Sequence, residues 1–164
     1  MPDQQLTPEQ LFAVTTLKGW DLWLGRTTKF FDSLTDEQMF TEIAPGKNRA
    51  IYLFGHLAIV SDAMIPQMGL GEASYAHLRE AFLAQPDRAA EIPSVAELRA
   101  IWKEVHSRVD TVFAALTPAE WLAGHATVSA EDFAAQPHRN RLSILLSRTS
   151  HLGYHLGQLQ LMPR

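Results

Sequence analysis

The chain has 164 residues, with 14 Lys plus Arg against 18 Asp plus Glu and a formal net charge of −4. A hydrophobic share of 46% and a charged share of 20% exclude disorder and collagen-like repeats, and fit one globular domain spanning residues 1–164. Cysteine is absent while histidine occurs seven times, which excludes disulfides, thiolate zinc sites and a cysteine nucleophile, and leaves imidazole as the abundant soft metal ligand.

Met1-Pro2-Asp3-Gln4-Gln5 has no basic stretch leading into an apolar core, so no secretory leader is expected. Thr7-Pro8-Glu9-Gln10 reads as a capping box with Pro at the first helical position. Behind it Ala13, Leu17, Trp20, Leu24, Thr28 and Phe31 recur at helical spacing, predicting a first helix over Pro8 to Ser33. Thr35-Asp36-Glu37-Gln38 is a second box, opening a short helical turn.

Pro45-Gly46 breaks the chain, and a second helix is predicted over Asn48 to Gln67, with Tyr52, His56, Ile59, Val60 and Ala63 on one side. Pro66 is expected to kink or end it, with Gly69 and Gly71 beyond. Its apolar run, Ala50 to Val60, is interrupted by Gly55 and His56 and is far short of the ~20 residues of a membrane span. Residues 72–93 form a long connection with Pro86 and Pro93 and a short helix near Tyr75 to Leu83. A segment of that length permits a crossover between the second and third helices.

Ser94-Val95-Ala96-Glu97 caps a third helix to Leu116, with Leu98, Trp102, Val105, Val109 and Val112 inward. Thr117-Pro118-Ala119-Glu120 caps a short segment containing Trp121, and Gly124 to His138 reads as loop. A fourth helix is predicted over Asn140 to Met162, stopped by Pro163. No stretch alternates with period two, so the expected class is all-α, a bundle of four long helices.

His151 and His155 stand four apart on the fourth helix, which places two imidazoles one turn apart on one face, able to chelate a single ion. Seven histidines in 164 positions give about 0.3 such pairs by chance, so the pair alone establishes no site. His56 is the candidate third ligand. It sits within Leu53-Phe54-Gly55-His56-Leu57-Ala58, where a buried ring without a partner is costly. Its other reading is a satisfied core histidine. Gly55 beside it allows a close approach by another helix. His77, His125 and His138 fall in expected loops, and His106 lies on the third helix as a surface or pocket residue. Trp20, Trp23, Trp102 and Trp121 suit core packing or a pocket lining. Arg141 and Arg148 share the fourth helix and are either surface charges or a clamp for a substrate carboxylate. Gln158 and Tyr154 are candidate partners for the ligand rings. Asp21 and Asp62 do not clearly face them, so no catalytic residue is assigned. The mild negative charge leaves no footprint for nucleic acid.

Phe54-Gly55-His56-Leu57-Ala58, taken with Ser150-His151-Leu152-Gly153-Tyr154-His155-Leu156-Gly157-Gln158-Leu159, resembles the DinB-like superfamily over most of the chain. The second of these segments has the H-x-x-Y-H-x-G-Q form common there. The resemblance implies an up-down-down-up four-helix bundle and a metal held by His56, His151 and His155, with zinc or nickel the first ions to test. It also implies a hydrolase, or a transferase using a low-molecular-weight thiol, acting on a small molecule, and frequent homodimers. Absent cysteine fits the cytoplasm. The other readings are a metal-binding protein without catalysis and a metal-free helical interaction module with structural histidines.

Overall fold

The computed structural model describes residues 6–163. The stretch Met1–Gln5 lies outside them. Among the described residues the architecture is all-helical, with α1 Pro8–Asp32, α2 Ala50–Asp62, α3 Met64–Gln67, α4 Val95–Ala114, α5 Pro118–Trp121, α6 Ala130–Ala135 and α7 Arg141–Leu159. No strand is present among them, only two isolated bridges, Glu42 with Arg49 and Gly124 with Asn140. Among the described residues no helix is long and apolar enough to cross a membrane.

The helix starts follow from local chemistry. Thr7, Ser94 and Thr117 each accept from the backbone N–H three residues on, and Gln10, Glu97 and Glu120 return the bond to the cap N–H. Those reciprocal bonds satisfy amides that a helix start otherwise leaves unpaired. The box at Thr35 and Gln38 also forms, but it opens a 3₁₀ turn over Gln38–Phe40.

The expected second helix is divided. α2 stops at Asp62, and α3 begins after Ala63. Pro66 has no N–H to give the Asp62 carbonyl, and its ring crowds that carbonyl, so the ladder breaks one turn before the proline. Gly69, at φ 71°, then ends α3 in the left-handed conformation while Leu70 N–H returns to the Ile65 carbonyl at 3.0 Å.

Two loop readings are corrected as well. The connection after α3 carries a 3₁₀ turn over Ala76–Leu78 and a π-helical turn over Glu80–Ala84, in place of one short helix. The stretch from Gly124 to His138 contains α6, capped by Ser129, whose hydroxyl accepts from Asp132 N–H at 3.0 Å. Six residues with no buried side chain leave no apolar stripe to read.

α2 is the central element. Every residue from Ala50 to Asp62 is buried except His56, which marks a helix enclosed on all sides rather than one with a single inward face. It packs on α4, on α7 and on the π-helical turn, while α1 lies along α7. The connection is tied back to the start of α2 by Asp87, whose carboxylate accepts from Arg49 N–H at 2.8 Å and from Arg49 Nη2 at 2.7 Å. At its other end Asp62 accepts from Ser74 N–H at 3.0 Å and Tyr75 N–H at 2.8 Å. The segment between them is thus held against α2 at both ends.

Candidate metal centre

Three imidazoles converge where α2 and α7 meet. His56 Nε2 stands 3.3 Å from His151 Nε2, and His155 Nε2 stands 2.9 Å from the same atom. Ring-nitrogen donor atoms of all three lie within 4.8 Å of one another. The helical four-residue spacing supplies two of them, and the packing of α2 on α7 brings the third.

The outward nitrogens are committed elsewhere. His56 Nδ1 donates to the Phe82 carbonyl oxygen at 2.9 Å, and His155 Nδ1 donates to Gln158 Oε1 at 2.8 Å. With those protons on Nδ1, the Nε2 lone pairs of both rings point at the shared centre, the arrangement a metal-ligating histidine requires. Gln158 is held in turn, since its Nε2 donates to the Tyr154 hydroxyl at 3.1 Å. Tyr154 itself is exposed.

Two nitrogens each about 2.0–2.1 Å from one ion stand about 2.9 Å apart at a right angle and about 3.4 Å apart at the tetrahedral angle. The separations of 2.9 and 3.3 Å fall in that interval, so the donor set fits a single transition-metal ion. Electrostatics points the same way. Burial pushes the His151 pKa down to about 4, helped by the neighbouring His155, His56 and Arg148. Burial also lowers His56 and His155, so the rings are neutral and ready to donate at neutral pH.

Phe82 and Tyr52 are two contributors that the sequence pattern did not single out as partners of His56. Gly55 is where the Phe82 ring seats: a Cβ there would overlap it. Gly55 therefore admits a ring of the connecting segment rather than another long helix, and the same residue's carbonyl orients His56. Tyr52, one turn before His56, is stacked with it at an interplanar angle of 15° and donates to the Gln85 carbonyl at 2.7 Å. A glycine flanking a helical histidine, with an aromatic four residues earlier, was the legible signal.

The other candidates separate from the centre. Arg141 spends its guanidinium on the Met68 carbonyl at 2.7 Å and the Glu120 carbonyl at 2.9 Å, so it fastens the end of α3 and α5 to α7. Arg148 donates to Gln67 Oε1 at 3.3 Å. Trp20, Trp102 and Trp121 are core residues, whereas Trp23 is half-buried in a groove between α1 and α7. Asp62 is buried against the connection and Asp21 is exposed. His77 and His138 are exposed, and His125 is buried beside the Thr127 hydroxyl at 2.9 Å.

His106 is a core residue, neither on the surface nor in a pocket. Its Nδ1 donates to the Trp102 carbonyl at 2.8 Å, and Nε2 accepts from the Ser61 hydroxyl at 3.2 Å. Burial lowers its pKa from 6.5 to about 4. Between those two values the unfolded chain binds the proton and the folded chain does not, so stability falls as the pH drops from 6.5 toward 4. Above 6.5 both states are neutral and the contribution is flat. The acid-side loss from this residue is expected to reach roughly 3 kcal/mol. Thermal melts of His106→Gln against wild type across that window should show a shallower slope for the variant; equal slopes would contradict the assignment.

A family model described as the DinB superfamily matches residues 21–159. No curated protein matches the chain.

Proposed function

The chain belongs to the DinB superfamily, and on that premise we propose that it binds one divalent transition-metal ion, zinc or nickel, on His56, His151 and His155. In this reading the protein is a single domain, with its four long helices in up-down-down-up order, and it acts on a small molecule as a hydrolase or low-molecular-weight-thiol transferase. The observation that carries it is the convergence of the three Nε2 atoms with the outward nitrogens of His56 and His155 already bonded. A half-buried cluster of lone pairs with no proton between most of them is unfavourable until a cation occupies it.

When bound, an ion on three neutral imidazoles keeps its full charge and at least one open position, and so supplies Lewis acidity toward a substrate oxygen or thiol. The chain's own part is to hold the rings. The Phe82 carbonyl and Gln158 fix the tautomers of His56 and His155, and Tyr52 stacks on His56. No thiol comes from the protein, which has no cysteine, so any thiol in the chemistry arrives with a substrate or cofactor. The same composition is compatible with work in the cytoplasm. Pairing into a homodimer belongs to the same proposal.

Metal analysis of protein purified without an affinity tag tests this reading. About one ion per chain is expected, and turnover of thiol, ester or amide substrates by the loaded form. Neither bound metal nor tight uptake would overturn it. Full loading with no turnover would favour the second reading, an ion that cross-links α2 and α7 and stabilises the fold without catalysis.

A further inference from the structure

Arg148 lies one turn before His151 on α7 and is half-buried. Its Nη2 donates to Gln67 Oε1 at 3.3 Å, and its Nε is buried without an acceptor. No carboxylate of the described residues pairs with it, whereas Arg49, Arg88, Arg99, Arg108 and Arg139 each have one. A guanidinium withdrawn from water without a counter-charge is costly, and an unpartnered buried donor calls for an explanation. Arg148, His151 and His155 stand at i, i+3 and i+7 of α7, along one stripe of that helix. Among the described residues the three histidines have no carboxylate partner either. With a divalent ion on neutral imidazoles, the region then carries three positive charges and no anion. The planar fork of arginine matches the two oxygens of a carboxylate better than a point charge does.

We propose that Arg148 holds a carboxylate of the small molecule on which this site acts, leaving the rest of that molecule to reach the histidine nitrogens. The substrate class is therefore a small carboxylate. This rests on reading the three histidines as a metal site, and the test separates the two.

Cobalt(II)-loaded protein is titrated with glycolate and with its neutral amide, glycolamide, following the visible absorption of the ion. Wild type is expected to prefer glycolate. Arg148→Met, which keeps an apolar stem of similar length, should lose about 10- to 100-fold in glycolate affinity with cobalt affinity no weaker than wild type. Arg148→Lys keeps the charge without the fork and should fall between. Equal glycolate affinity in wild type and Arg148→Met overturns the proposal, as does loaded wild type that does not distinguish the two probes. If Arg148→Met does not fold, Arg148→Lys decides: an affinity equal to wild type overturns the proposal. Wild type that takes up no cobalt overturns the metal reading itself, and the carboxylate subsite with it.

Discussion

His151→Ala is expected to lose metal binding by more than about 100-fold, beyond the 10- to 100-fold that follows loss of a supporting partner. His151 Nε2 is the atom common to both short nitrogen–nitrogen contacts, at 3.3 and 2.9 Å, so its removal takes away the middle of the donor set and leaves His56 and His155 as an isolated pair. The ring's hydrogen bonds run to the other two imidazoles, and the metal-free variant should therefore melt close to metal-free wild type. The difference emerges on loading. Ion at 100 times its dissociation constant stabilises the folded state by about 2.7 kcal/mol, which for a chain of this size raises the thermal midpoint by about 5–10 °C. Wild type should show that rise and the variant should not, as read by paired melts and metal titration. A variant that still gains the full rise would remove His151 from the centre.

Gly55→Ala is expected to damage the site from outside the ligand set. The added methyl would overlap the Phe82 ring, which is fully buried and cannot move without shifting its own backbone. That backbone carries the carbonyl accepting from His56 Nδ1 at 2.9 Å. Overpacking of a filled core costs about 1–3 kcal/mol, against which alanine recovers up to about 1 kcal/mol of helix propensity. The net loss should lower the thermal midpoint by a few degrees, while metal affinity falls about 10- to 100-fold because the ring loses its orienting acceptor. Gly157→Ala is the matched control on the site helix, since a Cβ there meets nothing within 4 Å. It should leave metal affinity unchanged. If Gly55→Ala binds metal like wild type, the Phe82 carbonyl does not orient His56.

Both predictions combine something readable along the chain with something that is not. The capping boxes at Thr7, Ser94 and Thr117 were legible because their chemistry is complete within four residues. The His151–His155 pair was legible because four residues make one helical turn. The break at Asp62 could be anticipated from Pro66 but not placed, since a proline affects the turn before it. α6 was missed because six residues with no buried side chain show no hydrophobic period. His106 was misplaced because it sits on an amphipathic helix near its buried edge, and only the packing of α4 on α2 encloses it against Ser61.

The sequence by itself determined the all-helical class, the capped starts of α1, α4 and α5, the absence of any thiol ligand and a two-imidazole face on the last helix, because each depends on residue type and short spacing. Tertiary structure decided which histidines meet. His56 is 95 residues from His151, and no local rule relates them. The packing of α2 against α7 joins them, and the long connection returns the Phe82 carbonyl, 26 residues on from His56, to set its tautomer. It also separated two arginines of one helix, committing Arg141 to the Met68 and Glu120 carbonyls and leaving Arg148, one turn before His151, with a buried Nε that has no acceptor. Convergence of donors and desolvation of charge arise only when distant segments share a space, and composition and periodicity do not contain them.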